Sequence, residues 1–258
     1  MQIELPKNKR IYFASDFHLG APTPEKSRAR EQYILRWLEM AEKDAQHIFL
    51  VGDIFDFWFE YKTVIPKGYT RLLGKLAQMT DKGIGISVFI GNHDMWMNGY
   101  FEDELNIPVY YEPQTYEICG KQFYIGHGDG LGPGDHGYKF LKKVFRNPVC
   151  RWLFSGIHPS WGISLANYFS RKSRAKTGME LEKFLGEENE WLAIYSKEML
   201  QQQHFDYLIF GHRHLPLDIT LSEKSRYINL GDWINYFSYA VFDGDNVELK
   251  YFKEEHAQ

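Results

Sequence analysis

With only two cysteines in 258 residues, the chain has neither a disulfide scaffold nor a thiolate-rich metal site. Cys119 precedes Gly120 in an expected hairpin and Cys150 falls in an apolar helical stretch, which fits isolated, reduced, structural thiols. No apolar run reaches the roughly 20 residues needed to span a bilayer, and the first residues carry no basic-then-apolar leader, so a cytoplasmic chain is expected. Internal repeats, low-complexity tracts and flexible linkers are also missing, and a net charge of −4 selects no class of partner by itself. At 44% hydrophobic residues the chain can bury a sizeable core, either as one domain with an insertion or as two domains.

Five short polar clusters stand against these absences: Asp16-Phe17-His18, Gly52-Asp53, Gly91-Asn92-His93-Asp94, Gly126-His127-Gly128-Asp129 and Gly211-His212-Arg213-His214. Each closes an apolar run that reads as a buried strand, at residues 10–14, 47–51, 86–90, 122–125 and 207–210. In open α/β sheets, ligand sites gather at the carboxyl ends of strands, so groups far apart in sequence can meet at one centre. A lone Asp-x-His or Gly-Asn-His-Asp is more often a turn than a ligand. Five in order, offering Asp16, His18, Asp53, Asn92, His127, His212 and His214, point to a metal centre. Carboxylate, imidazole and amide oxygen without thiolate suit manganese, iron or zinc, whereas an all-oxygen set would favour magnesium or calcium.

From Tyr138 to Lys176 there is no Asp or Glu at all, yet there are nine basic residues: Lys139, Lys142, Lys143, Arg146, Arg151, Arg171, Lys172, Arg174 and Lys176. The same stretch is dense in large apolar side chains, with Leu141, Val144 and Phe145, then Val149, Trp152 and Leu153, at helical spacing, and breaks at Asn147-Pro148 and His158-Pro159. Two readings stand: a helical subdomain with a solvated basic face, or a cap that binds phosphate and accepts lipid chains or an anionic membrane. The division expected is a core of residues 1–137 and 177–258 with a cap insertion at 138–176.

Elsewhere the pattern is α/β. Helices are expected over 25–45, 68–80 and 180–203, and strands over 226–230, 239–242 and 247–252, with Asp243-Gly244-Asp245-Asn246 as a hairpin turn. Strand pairs without helices at the end suggest a second sheet packed on the first.

The five clusters resemble the calcineurin-like metallophosphoesterase superfamily across most of the chain. The narrower resemblance is to the UDP-2,3-diacylglucosamine pyrophosphohydrolases of lipid A synthesis, through Gly52-Asp53-Ile54-Phe55-Asp56-Phe57-Trp58, His127-Gly128-Asp129 followed by Gly137-Tyr138 and the basic insert, and Leu230-Gly231-Asp232-Trp233. The resemblance implies a four-layer α/β/β/α sandwich with a helical cap and two divalent metal ions, manganese foremost and iron or zinc next. Asp16, His18, His214 and the bridging Asp53 would hold one ion; Asp53, Asn92, His127 and His212 would hold the other. A hydroxide between the ions would attack phosphorus in line. His93 and Asp94 would be catalytic, with Asp94 behind His93, and Asn92, His93, Tyr138, Arg171, Ser173, Arg174 and Lys176 would bind substrate. The implied substrate is a UDP-linked, diacylated glucosamine, cleaved to UMP and a lipid sugar phosphate at the inner face of the cytoplasmic membrane. No nucleic-acid partner is expected.

One departure bears on the chemistry. Those pyrophosphohydrolases usually carry Arg at the third place of Gly-Asn-x-Asp, whereas this chain has His93, as the broader superfamily does. Charge neutralisation suffices for a phosphate leaving group, while an alkoxide gains more from a protonated imidazole. His93 therefore admits a phosphomonoester or phosphodiester, such as a phosphoprotein or cyclic nucleotide, as the alternative substrate. A non-catalytic scaffold would have no need of the complete ligand set.

Overall fold

The computed structural model describes residues 1–132, 136–166, 168–170, 183–184 and 186–253. Among these residues the strands form two six-stranded sheets. The first has the order β12 (Val247–Tyr251), β11 (Ser238–Phe242), β2 (Arg10–Ala14), β3 (Ala45–Val51), β4 (Gly85–Phe89), β5 (Val109–Tyr110). The second runs β1 (Gln2–Ile3), β6 (Gln114–Ile118), β7 (Lys121–Ile125), β8 (Tyr207–Phe210), β10 (Ser225–Leu230), β9 (Pro216–Ser222).

The central strands β2, β3 and β4 pair in parallel, and β7, β8 and β10 do the same in the other sheet. Buried on both faces, such strands need apolar residues at nearly every position. Alternation then sorts those residues between layers. From β2, Tyr12 and Ala14 enter the core beneath the helices, whereas Ile11 and Phe13 face the second sheet. Phe13 stacks on Phe49 and on Phe123 across the sheet interface, at 5.2 and 6.1 Å between ring centroids.

Helices α1 (Pro24–Ala41), α2 (Thr70–Asp81) and α3 (Tyr100–Leu105) cover the first sheet. α1 starts where the side chain of Thr23 accepts from the N–H of Lys26 and Pro24 occupies the first turn. The second sheet is covered by α7 (Trp191–Leu200), through Leu192 and Ala193 against Leu208, Phe210 and Tyr227. The layers are therefore α/β/β/α.

The five strands expected before the polar clusters are present. The last strands do not make a sheet of their own: β10 joins the second sheet and β11 and β12 extend the first. The helix expected over 180–203 is shorter, because residues 187–189 form a turn and α7 starts at Trp191, while residues 180–182 lie outside the described residues. Cys119 and Gly120 do form the β6–β7 hairpin turn, both with φ in the left-handed region (51° and 74°) that a tight two-residue turn demands. Cys119 is exposed, Cys150 half-buried, and both are free thiols.

Among the described residues, the segment expected as the insertion is helical: α4 (His136–Arg146), α5 (Pro148–Ser155) and α6 (159–166). Asn147 caps α5 and Pro148 opens it, so the expected break between helices is also a start signal. Phe145 and Phe154 seat the insertion against Trp96, at 5.4 and 5.0 Å between ring centroids. The bond from the Trp96 indole N–H to the Phe145 carbonyl (2.8 Å) fixes the same contact.

Candidate metal centre

All five clusters converge at the carboxyl ends of β2, β3, β4, β7 and β8, where the two sheets meet. His18 Nε2 lies 3.1 Å from His214 Nε2, 3.7 Å from Asp16 Oδ1 and 3.5 Å from Asp53 Oδ2. On the other side of Asp53, His127 Nε2 is 3.4 Å from Asp53 Oδ2 and 3.3 Å from Asn92 Oδ1. The His212 ring stands 5.2 Å from that of His127. Asp53 thus lies between two groups of donors.

Donor atoms held at roughly 2.1 Å by one cation stand roughly 3.0–3.4 Å apart along the edges of a coordination polyhedron. The spacings above fall near that range. A sharper indication is Asp16 Oδ1, a fully buried carboxylate oxygen that accepts no hydrogen bond. An anionic oxygen buried without a donor is heavily penalised unless a cation sits beside it. Electrostatics agree. Burial opposes ionisation of Asp53, yet the surrounding histidines, His127 first, hold it well below the usual carboxylate range. Burial alone would depress His127, but Asp53 and Asp16 lift it to about 10. Asp53 and Asp16 thus favour positive charge beside His127, and the N and O donors of the cluster fit divalent metal ions.

The local backbone exists for this purpose. Asp16, His18, Asp53, His212 and His214 all have φ between 43° and 68°, a left-handed conformation that side-chain-bearing residues adopt at a cost of about 1–3 kcal/mol each. Such strain persists only where surrounding contacts overdetermine it. In the first loop Phe17 turns inward between Asp16 and His18 and packs edge-on against Trp37 and Trp233. The buried Arg30 of α1 donates to the carbonyls of Phe17 and His18, both at 2.9 Å. At Gly91 a Cβ would fall on Asp53, and at Gly52 on the His127 ring, so both glycines are required by close approach.

Imidazole orientation is set from behind. His127 Nδ1 bonds the Val51 carbonyl at 2.8 Å, and His214 Nδ1 faces Asp232 Oδ2 at 3.3 Å, leaving each Nε2 directed at the cluster. Asp232 is itself held by the N–H groups of Ile234, Asn235 and Tyr236. Its place in Leu230-Gly231-Asp232-Trp233 marked the residue in sequence without disclosing this task.

Asp94 does not stand behind His93, contrary to expectation. Its carboxylate accepts from the backbone N–H of Gly91 (2.7 Å), Ile54 (2.7 Å), Asp53 (3.3 Å) and Phe55 (3.3 Å), tying the Asn92 loop to the Asp53 loop. The place behind His93 is taken by Asp56, whose carbonyl lies 3.0 Å and whose Oδ1 lies 3.6 Å from His93 Nδ1. Asp56 Oδ1 is also 3.6 Å from His18 Nδ1. Sequence reasoning quoted Asp56 only as part of a motif. It also missed Ser170, whose hydroxyl reaches from the insertion to Asp56 Oδ2 at 3.1 Å and His93 Nδ1 at 3.2 Å.

The insertion meets the centre at a second point. Tyr138 donates its phenol hydrogen to Asp129 Oδ2 (2.6 Å), two residues after His127, and Lys142 Nζ pairs with the same oxygen at 2.6 Å. Lys139 bonds the Gly132 carbonyl and Arg146 bonds Glu112, so part of the basic stretch is already engaged by the protein. Arg171, Lys172, Ser173, Arg174 and Lys176 lie outside the described residues. The apolar faces of α5 and α6 look outward, with Trp152 and Trp161 72% and 74% exposed and Val149, Leu153 and Leu165 exposed beside them. No helix among the described residues is long and apolar enough to cross a membrane.

Comparisons with known proteins bear on this geometry. Residues 9–216 match the family described as calcineurin-like phosphoesterase. A UDP-2,3-diacylglucosamine hydrolase of Porphyromonas gingivalis is 41% identical over 255 residues, covering 93% of this chain and 97% of the relative. Proteins of the same description from Stutzerimonas stutzeri and Aeromonas salmonicida are 25% and 27% identical, covering 86% and 89% of this chain and 90% and 88% of theirs.

Proposed function

Because the chain belongs to the calcineurin-like phosphoesterase family and is a metal-dependent hydrolase, we propose that it cleaves the pyrophosphate of UDP-2,3-diacylglucosamine, releasing UMP and the diacylated sugar phosphate. The observation that carries this reading is the 41% identity to a UDP-2,3-diacylglucosamine hydrolase over nearly the full length of both chains. The helical insertion supports it: a soluble phosphoester needs positive charge, not the exposed tryptophans and leucines of α5 and α6.

Asp16, His18, His214 and Asp53 would hold one divalent ion, and Asp53, Asn92, His127 and His212 the other; manganese is the ion proposed, and iron and zinc suit the same mix of carboxylate and imidazole donors. When bound, such a pair activates water and neutralises charge developing on the phosphoryl group. The chain's own residues do the rest. Asp53 accepts the His93 backbone N–H at 2.8 Å, which fixes the place of His93 relative to the metal ligands. Asp56 and Ser170 hold the Nδ1 side of the ring, so that Nε2 is the atom left to meet the substrate phosphate or the departing oxygen. Arg171, Ser173, Arg174 and Lys176, with Tyr138 and Asn92, are assigned to the phosphates and sugar, and residues 138–176 to a cap. The outward apolar faces of that cap would take the acyl chains and rest on the inner face of the cytoplasmic membrane; at about 0.8 kcal/mol per methylene, two chains supply ample binding energy.

His93, in a place where Arg is usual among these pyrophosphohydrolases, favours a second reading, in which a phosphomonoester or phosphodiester with an alkoxide leaving group is the substrate. Comparing kcat/KM for the diacylated UDP-sugar and its deacylated counterpart decides between them. A large preference for the acylated compound is expected; equal values would favour the small phosphoester.

A further inference from the structure

The loops carrying Asp16/His18 and His212/His214 share a layout in which two left-handed ligands flank one buried residue that turns away from the centre. In the first loop that residue is Phe17, held by aromatic packing. In the second it is Arg213, only 3% exposed, and its guanidinium has specific partners. Nε lies 3.1 and 2.9 Å from the two carboxylate oxygens of Glu190, Nη2 donates to the Lys183 carbonyl at 3.0 Å, and the guanidinium covers the Trp191 ring at 4.5 Å. Glu190 is buried too. It stands at the N-terminus of α7, where negative charge is favoured, and accepts from the Tyr227 hydroxyl at 3.4 Å.

We infer that Glu190 and Arg213 are a positioning pair that holds His212 and His214 in their ligating conformation. The reasoning rests on what must oppose the strain of that loop. Two left-handed residues, one either side of Arg213, relax unless something fixes the depth and the rotation of the residue between them; around Phe17 this takes aromatic packing together with the Arg30 bonds to the Phe17 and His18 carbonyls. A guanidinium bonded through Nε to both oxygens of a buried carboxylate, and through Nη2 to a carbonyl, fixes both. Trp191, clamped by Arg213 on one side, stands beside the His212 ring at 6.5 Å, so the same contact backs the ligand side chain. Lys183 and Glu190 also belong to the segment by which the chain returns from the insertion to α7, so the pair links that return to the metal loop.

The inference rests on the metal-centre reading, and its test separates the two. Manganese ions are titrated into the chelator-stripped full-length chain and into Glu190→Gln, Arg213→Lys and Arg213→Met, with thermal unfolding of each metal-free protein as the check on folding. Wild type should bind two ions. Glu190→Gln, which keeps shape but removes charge, should stay folded and bind at least one ion on the order of 10–100-fold more weakly, the usual scale for residues behind a metal ligand. Its kcat should fall with KM little changed, and Arg213→Lys should recover only part of the loss. A Glu190→Gln protein with wild-type metal affinity and kcat would overturn the positioning role, whether or not Arg213→Met folds. Failure of wild type itself to bind manganese, or zinc or iron titrated in its place, would overturn the metal centre instead.

Discussion

His93 and Asp56 are partners across two loops: the imidazole Nδ1 is 3.0 Å from the Asp56 carbonyl and 3.6 Å from its carboxylate. This contact orients His93, which the proposed function places against the substrate. His93→Ala should retain two metal ions while losing on the order of 10²–10⁴ in kcat, the scale for a general acid–base group. Metal content by plasma mass spectrometry alongside kcat checks this; loss of an ion would show that His93 is a ligand. His93→Arg should keep pyrophosphate hydrolysis and lose activity on alkyl phosphate esters.

Asp94 should give the opposite phenotype. Burial, reinforced by Asp53, raises its carboxyl to about 7, and its oxygens collect backbone N–H groups from both loops. Asp94→Asn keeps one good acceptor and places an amide N–H₂ against N–H donors, so the Asp53 loop should loosen. Weaker metal binding and a lower melting temperature are expected together. Intact metal content with only kcat reduced would return Asp94 to the role of a partner of His93.

Asp53 lies between the two donor groups, facing His18 at 3.5 Å and His127 at 3.4 Å with one oxygen. Asp53→Ala should lose both ions and fall to background activity. A variant that keeps one ion at full occupancy and near-native turnover would make the bridging assignment untenable.

A pH effect should arise far from the centre. His47, between the sheets with its Nε2 2.9 Å from Ser87 Oγ, is pushed down to about 4 by burial. In the unfolded chain it titrates near 6.5. Between these values the unfolded state binds the proton and the folded state does not, so stability falls as pH drops from about 7 towards 4, by on the order of 3 kcal/mol. His47→Gln, which keeps a donor near the Nε2 position, should flatten that limb. Urea unfolding of the metal-free proteins at pH 7.5 and 4.5 measures the difference; parallel pH dependence in wild type and variant would contradict it.

Much of this arrangement was legible in the sequence because strand ends and polar clusters coincide. The apolar runs before Asp16, Asp53, Asn92 and His212 are buried on both faces, and the run before His127 buries Phe123 and Ile125, which leaves little freedom in where they sit, and the polar residue following each run must emerge at the sheet edge. What escaped were pairings that depend on rotation about one loop. Asp94 follows His93 directly, whereas Asp56 is 37 residues away in sequence, and only the fold brings Asp56 to the imidazole. The short strand β5 and the edge strand β9 were also missed, since two residues, or a strand with one solvated face, carry little periodic signal. Arg213 stands inside a motif, but its partner Glu190 is 23 residues away in sequence and outside every motif.

The most direct measurement of the central claim is product analysis by mass spectrometry after incubating the manganese-loaded protein with UDP-2,3-diacylglucosamine in ¹⁸O-labelled water. UMP and diacylglucosamine phosphate should appear in equal amounts, with one ¹⁸O on one of the two phosphates and no product after chelation. Absence of cleavage by the metal-loaded protein, together with ready hydrolysis of a simple phosphate ester, would contradict the account.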